Sequence, residues 1–331
     1  MPEKNTYIQR RAEKDETRGN IKGRDNPRNK ESVQDNPKRK KRKNQCGRGG
    51  EKLFSNICIL PSLIGVLIFF LIPFGIVIYY SFINNPITAE FVGLDNYAAL
   101  LKNTAFKKAV SNTTAFTLIS VPLAVILSMW LASLLERKIP GKSVIRTFLL
   151  SPLMVPTASV VLVWQVIFHN HGTLNSIIET FGGQGIDWLK SSHGQVIIIV
   201  MFLWKNLGYN MILFMSALAS VPKDILEVAE LEGAGKFYQF VHIKLRYLSP
   251  TILFVLILSL INSFKIFREV YLLTGDHPYS KLYMLQHFMN NTFNNVDYQK
   301  LSAAAILFAL VMIVVMAVLM AADNKFGKDV E

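Results

Sequence analysis

From about residue 53 onward, apolar residues neither alternate nor keep to one helical face; they come in runs that are apolar all round. A helix apolar on every side is buried in a large core or in lipid. Bilayer hydrocarbon is roughly 30 Å thick, so a crossing helix needs about 20 mainly apolar residues. Six segments meet that demand, at 57–82, 109–135, 147–168, 195–218, 250–267 and 301–322. Residues 53–89 contain no Asp, Glu, Lys or Arg. Lys205 interrupts the fourth run, and Lys265 stands near the end of the fifth. Prolines at 61, 73, 122, 152 and 156 lie in or at the ends of the runs, where packed neighbours can satisfy the carbonyls they free. The pattern predicts an all-α, polytopic membrane protein with six transmembrane helices.

Polar stretches divide the rest. Residues 1–52 read as a basic tail, 53–322 as the membrane domain, 220–249 as a long loop within it, and 323–331 as a C-terminal stub. Composition agrees: 51% of the 331 residues are hydrophobic and 18% charged, whereas a soluble domain carries about a quarter charged residues.

The net charge of +13 would suggest a nucleic-acid partner if it were spread over the chain. It is not. Residues 1–52 hold 17 Lys and Arg against 8 Asp and Glu. This tail, centred on Lys38-Arg39-Lys40-Lys41-Arg42-Lys43, is polar and lacks apolar periodicity, so disorder is expected. Its basic residues suit anionic headgroups, each contributing about 1 kcal/mol near the surface, and nucleic acid is not expected as a partner. No signal peptide is expected, since the first apolar run follows some 50 polar residues and is too long for one. Basic residues favour cytoplasmic loops. With the N-terminus inside, cytoplasmic segments hold 27 Lys and Arg and the opposite loops 7, so both termini are expected in the cytoplasm.

No catalytic or metal-binding pattern emerges. The two cysteines, Cys46 and Cys58, make neither a disulfide framework nor a zinc site. Pro140-Gly141-Lys142-Ser143 resembles the end of a phosphate loop, but Glu136 stands where the first glycine of that motif is required. His169 and His171 have no carboxylate or thiol close in sequence and read as a polar helix end. An intramembrane enzyme would need carboxylates or histidines at mid-span, and an ion-driven transporter mid-membrane acids; the six predicted runs offer neither.

The informative segment is 220–250. Ser220 as N-cap, Pro222 in the first turn and Asp224 and Glu227 near the positive end of the dipole predict a short helix. Ile225, Val228, Ala229 and Glu232 fall on one side of it. Gly233-Ala234-Gly235 ends it and leaves a surface without bulk. A second, basic and aromatic helix from Lys236 is expected to end at Pro250. Such an insert between two spans suits docking of a soluble partner.

Glu227-Val228-Ala229, Glu232-Gly233-Ala234, Phe240, Ile243, Leu245 and Pro250 resemble the EAA loop of binding-protein-dependent ABC importer permeases. Val228, Glu232 and Arg246 depart from that pattern, where Ala, Asp and Pro are usual. Phe91-Val92-Gly93-Leu94-Asp95-Asn96-Tyr97, Arg146-Thr147-Phe148 through Pro152, Trp164, Phe168, Gly172-Thr173-Leu174-Asn175 and Trp188-Leu189 resemble the sugar branch, in particular its maltose-transporter-type upstream permeases. Thr274-Gly275-Asp276-His277-Pro278 departs from that branch's T-G-G-P turn at two positions.

The resemblance implies a type I ABC importer permease fold. It also implies a second homologous permease subunit, two ATP-binding cassette ATPase subunits and an extracytoplasmic sugar-binding protein as partners. The chain would bind no cofactor, ATP being hydrolysed by the partner subunit. Glu227, Ala229, Glu232, Gly233, Ala234, Phe240 and Pro250 would carry the coupling to the ATPase. A different solute, glycerol phosphate or a polyamine, is the alternative within the family.

Sugar hydroxyls that leave water need polar partners. Gln165, Trp204, Asn206, Asn210 and Asn262 are the candidates for the solute path, with Asn206 and Asn210 on one face at i, i+4. Amides in membrane helices equally bridge neighbouring helices, at about 0.6–2 kcal/mol each. Lys205 is expected to face protein or water, because a charge in hydrocarbon is costly. Lys265 either pairs with Glu269, four residues on, or snorkels to the surface.

Overall fold

The computed structural model describes residues 59–136, 139–191 and 193–326, with burial described to 322. The tail, the first two residues of the first predicted span and most of the C-terminal stub therefore lie outside the described residues. Among the described residues the regular structure is helical, and an isolated bridge between Ile83 and Phe91 is the one pairing of extended backbone. The chain divides by compactness at residue 65.

The first span, α1 (Ile59–Ser81), carries a π turn at Leu67–Leu71. Pro73 follows directly; its ring would strike the carbonyl four residues back in a regular helix, and the wider turn makes room for it. Helices α2 (Asp95–Lys102) and α3 (Thr104–Glu136) follow, α3 running unbroken through Pro122. Next come α4 (Lys142–Met154), α5 (Thr157–Phe168), α6 (Thr173–Thr180) and α7 (Gly194–Ala219). The loop helix α8 (Lys223–Leu231) leads through Lys236–Gln239 and a π turn at Phe240–Lys244 into α9 (Leu245–Lys265). Then α10 (Phe267–Thr274), α11 (Leu285–Asn294) and α12 (Tyr298–Phe326) complete the described chain.

Five helices are long and apolar enough to cross a membrane. The sixth predicted span, in order the third at 147–168, is not one straight helix. It is split between α4 and α5, and the segment Thr157–Thr180 that begins with α5 is bent by 102° from α4. The break is at Val155-Pro156. Clash with the proline ring drives the preceding residue out of the helical region, and Val155 is accordingly extended at φ −85°, ψ 130°. Pro156 then becomes the N-cap of α5.

Two further expectations are corrected. Pro250 does not end a helix but lies inside α9. Ser220 is not the cap of the loop helix. It caps the end of α7, its hydroxyl donating to the Ala217 carbonyl at 2.7 Å, and Pro222 takes the N-cap position of α8.

Helices α3 and α7 form the spine, with α9 packed on both and α4 on α7. A central cluster of Phe116, Val161, Ile198, Met201, Phe202, Ile266 and Val270 joins α3, α5, α7 and α10. A second cluster around Val125, Leu135, Met211, Phe214, Leu218 and Leu248 fills the end nearer the 220–249 loop. By contrast, the apolar window of α1 is unburied in this chain and that of α12 is 11% buried. Those faces suit lipid or another membrane subunit.

Several family-like motifs turn out to close loops. Asn96 donates to the Ser81 and Ile83 carbonyls at 3.0 and 2.8 Å, and Tyr97 to the Ser81 hydroxyl at 2.8 Å, fixing the end of α1. The buried Asn175 donates to the Asn170 and Ile186 carbonyls and accepts from the Ile186 N–H and the Trp188 indole. On α3, Asn112 donates to the Ser280 and Tyr283 carbonyls and Thr113 accepts from the Leu285 N–H at 2.8 Å, holding the segment before α11.

Gly208 is required by packing. A Cβ built there would lie 2.0 Å from the Leu149 carbonyl oxygen, so α7 and α4 meet backbone to backbone. Gly208→Ala is expected to destabilise the folded protein by about 1–3 kcal/mol, the cost of overpacking, visible as a lower thermal unfolding midpoint.

His287 on α11 is fully buried against Phe267 and Tyr283, and its Nδ1 accepts from the Met284 N–H. Burial lowers its pKa to about 4, with the nearby Asp276 charge opposing. Unfolded histidine titrates near 6.5. The neutral ring therefore contributes stability that is present above about pH 6.5 and lost as pH falls toward about 4. Thermal unfolding from pH 7 to 4.5 should show this loss, and His287→Phe should flatten the profile.

Candidate coupling loop and solute path

Helix α8 is closed by a complete Schellman motif, which follows from one glycine. Glu232 is the C-cap, and Gly233 sits at φ +83°, a left-handed conformation costly for residues with a Cβ. The Gly233 N–H donates to the Glu230 carbonyl at 3.1 Å and the Ala234 N–H to the Ala229 carbonyl at 2.9 Å. The Ala234 carbonyl accepts from the Gln239 amide at 2.9 Å, tying the second arm of the loop to the first. Lys244 pairs with Glu136 at 2.7 Å, anchoring that arm to the end of α3.

Of the residues assigned to coupling, Glu227, Glu232 and Gly233 are exposed, Ala229 and Ala234 half-buried. Phe240 begins the π turn, half-buried beside Leu226 and Phe237. Pro250 stands apart within α9. Helix α8 turns Leu226 toward the core, while Ile225 and Val228 remain exposed. Sequence reasoning missed Leu231, 88% exposed, and Phe237, 82% exposed. With Val228 they give the loop a bare apolar surface. Large apolar side chains placed beside polar loop residues were the available signal. Asp224 alone is acidic in the first turn of α8; Glu227 lies beyond it.

The solute-path candidates fall into two groups. Asn206, Asn210 and Asn262 bridge α7 and α9. The Asn262 amide donates to the Asn206 carbonyl oxygen at 2.9 Å, and the Asn210 amide to the Ser259 hydroxyl at 3.0 Å. Asn206 also donates to the Phe202 carbonyl at 2.8 Å. Asn210 is 1% exposed, and its carbonyl oxygen has no partner among the described residues.

Gln165 and Trp204 are elsewhere. Gln165 donates to the Leu272 carbonyl at 3.1 Å, linking α5 to α10. The Trp204 ring lies 6.1 Å from that of Trp164, which stacks on Phe168 at 5.3 Å; Phe168 in turn meets Trp188 edge-on at 6.1 Å. Four aromatic rings thus run from α7 across α5 to the loop before α7.

The charges decide between the two readings of Lys265, and Lys205 faces protein as expected. Lys265 does not pair with Glu269. Lys265 is exposed, Glu269 is 4% exposed, and Glu269 forms its ion pair with Lys205 of α7. Lys205 Nζ also donates to the Thr157 hydroxyl at 3.4 Å, at the first residue of α5. The two charges, 64 positions apart, cancel inside the bundle. His169 and His171 have ring centroids 6.2 Å apart, and no group of three or more His, Cys, Asp or Glu able to hold a metal occurs among the described residues.

The fold is shared with solved structures. A bacterial ABC transporter involved in the import of the acidic polysaccharide alginate superposes with a TM-score of 0.74 at 20% identity, covering 83% of this chain and 96% of that one. The same transporter type, in complex with an alginate pentasaccharide-bound periplasmic protein, gives a TM-score of 0.75 at 19% identity, covering 84% and 96%. In sequence, the chain is similar to the sulfoquinovosyl glycerol transport system permease protein of Agrobacterium fabrum, 29% identical over 80% of this chain and 89% of that protein. It is also similar to the trehalose/maltose transport system permease protein of Thermococcus litoralis, 31% identical over 77% and 89%. Residues 124–331, which include α4 to α12, match the binding-protein-dependent transport system inner membrane components, and this multi-pass membrane protein belongs to that family.

Proposed function

We propose that this chain is one permease subunit of an ATP-driven importer for an uncharged sugar or oligosaccharide, coupled to its ATPase through residues 223–235. The observation that carries the reading is α8: a Schellman-closed helix between two spans, presenting bare Val228 and Leu231 beside Glu227 and Glu232. A family member with such a surface has a natural partner in a nucleotide-driven subunit. In this reading the loop lies in the cytoplasm, as the distribution of basic residues favours, and both termini lie there too.

The chain supplies half of the translocation path and performs no chemistry; ATP is hydrolysed on two cassette subunits. A second, homologous permease covers the open faces of α1 and α12, and an external binding protein delivers the solute. Nucleotide and solute act by binding outward-open and inward-open states unequally, since equal affinity shifts nothing. The second arm of the loop continues into α9, so a push on α8 reaches the helix that carries Asn262 and Ser259. Sugar is supported by the names of relatives, which include an arabinooligosaccharide permease of Bacillus subtilis, 28% identical over 80% of this chain and 87% of that protein.

Glycerol phosphate is the second reading. A permease for sn-glycerol-3-phosphate from Agrobacterium fabrum is 25% identical over 80% of this chain and 93% of that protein. Lys205 would suit its phosphate were Glu269 not already paired with it. The neutral pair favours sugar.

Deleting the ATPase partner should stop uptake outright. Gly233→Trp is expected to abolish uptake and ATPase co-purification while membrane insertion persists; equal loss of insertion would mark a folding defect instead. Gly235 separates bulk from backbone strain. Its φ of −64° and ψ of 157° suit any residue, and an added Cβ meets nothing within 4 Å. Gly235→Ala should therefore transport normally, and Gly235→Trp should fold but lose the ATPase.

A further inference from the structure

The ion pair of Lys205 and Glu269 stands beside the broken third span. Helix α5 starts at Thr157, directly after the break at Val155-Pro156, and α10 follows α9 with Ile266, at a helical φ of −60° and ψ of −19°, between them. Helices α5 and α10 pack on each other, and Lys205 of the unbroken α7 reaches both Thr157 and Glu269. Gln165, bonded to the Leu272 carbonyl, and the rings of Trp164 and Trp204 lie on the same elements.

Holding helices together is a poor explanation for this pair. Well-packed apolar residues commonly do as well as a buried ion pair. A pair serving only as a clamp would also be fully hydrogen-bonded, since an incompletely satisfied buried network is costly. Here Glu269 Oε2 is buried without a partner among the described residues. The centre therefore combines zero net charge, spare acceptor capacity and nearby aromatic faces. Hydroxyl donors and the apolar faces of a sugar ring fit that chemistry. An anion does not, because Lys205 is already neutralised and the free carboxylate oxygen repels it in a medium of low dielectric.

We propose that Glu269 is a specificity-determining residue of the solute path: by neutralising Lys205 it admits an uncharged polyhydroxylated solute and turns away the anionic counterpart. The inference rests on the reading that the polar residues of α7 line the path. It makes charge preference a property of one carboxylate, separable from the shape of the site.

The test uses the purified transporter, with its second permease and ATPases but without the binding protein, whose own selectivity would intrude. Trehalose and trehalose 6-phosphate serve as paired probes differing in charge, and quenching of the transporter's tryptophan fluorescence reports occupancy. The wild type should favour trehalose by about tenfold or more, the scale set by one unfavourable charge contact. Glu269→Gln should reverse the ratio, Glu269→Asp should keep it, and the double variant Lys205→Met with Glu269→Gln should restore preference for trehalose. Should Glu269→Gln fail to assemble, Glu269→Ala carries the test, since it too leaves Lys205 without its carboxylate and should favour trehalose 6-phosphate. An unchanged ratio in Glu269→Gln with trehalose still bound would overturn the role of Glu269 alone. If neither sugar alters the fluorescence of the wild type, the placement of the path along α7 falls, and charge selection with it.

Discussion

Water does not reach the middle of a bilayer, so each backbone or polar group that leaves a regular helix there must find its partner within the protein. That constraint organises this fold. Several hydroxyls on the spans bond back to their own helix, as Thr113 does to the Ala109 carbonyl and Ser128 to that of Ala124. Where a span is broken, side chains from other helices take over. The break at Val155-Pro156 is flanked by Thr157, which Lys205 reaches from α7, and about two turns further along α5 Gln165 satisfies a carbonyl of α10.

The same constraint explains why the 220–249 loop and the polar residues of the spans belong to one mechanical unit. A loop connected by flexible chain could move without consequence. Here the Schellman turn, the Gln239 bond to Ala234 and the Lys244–Glu136 pair leave little slack between α8 and α9. Beyond them α9 is hydrogen-bonded to α7 through Asn262 and Ser259. Displacing α9 along its axis strains amide pairs in low dielectric, where a lost partner costs about 1–3 kcal/mol. Two discrete arrangements of these bonds are more favourable than a continuum between them, as the proposed coupling would require.

Features set by local chemistry were legible in the sequence. Continuous apolar runs located the long helices, and Gly233-Ala234-Gly235 marked the end of the loop helix. Features decided by competition between packing and local preference were not. Pro122, Pro152 and Pro250 stay inside helices, whereas Pro156 breaks one. All four carry the same ring, and only the surroundings determine whether the freed carbonyl is covered. Ser220 could cap the helix behind it or the one ahead, and no spacing rule separates these. Asn96 and Asn175 were visible as parts of loop motifs, but their work as loop closures depends on carbonyls that only the folded backbone presents.

The partner of Glu269 illustrates the limit most clearly. Helical spacing relates residues three or four apart, so Lys265 was the partner that the sequence offered. On the folded helix that lysine points outward, where hydration of its ammonium opposes any move toward the core. Glu269 faces inward, and a buried carboxylate needs a cation or a proton. Lys205 is the cation that α7 brings to it. A neutral centre therefore arises from two residues that are each unfavourable alone, on helices whose register is set by the apolar cluster of Phe202, Ile266 and Val270 beside them. Apolar packing places the charges, and if the polar residues of α7 line the solute path, the charges in turn decide which solutes that path tolerates.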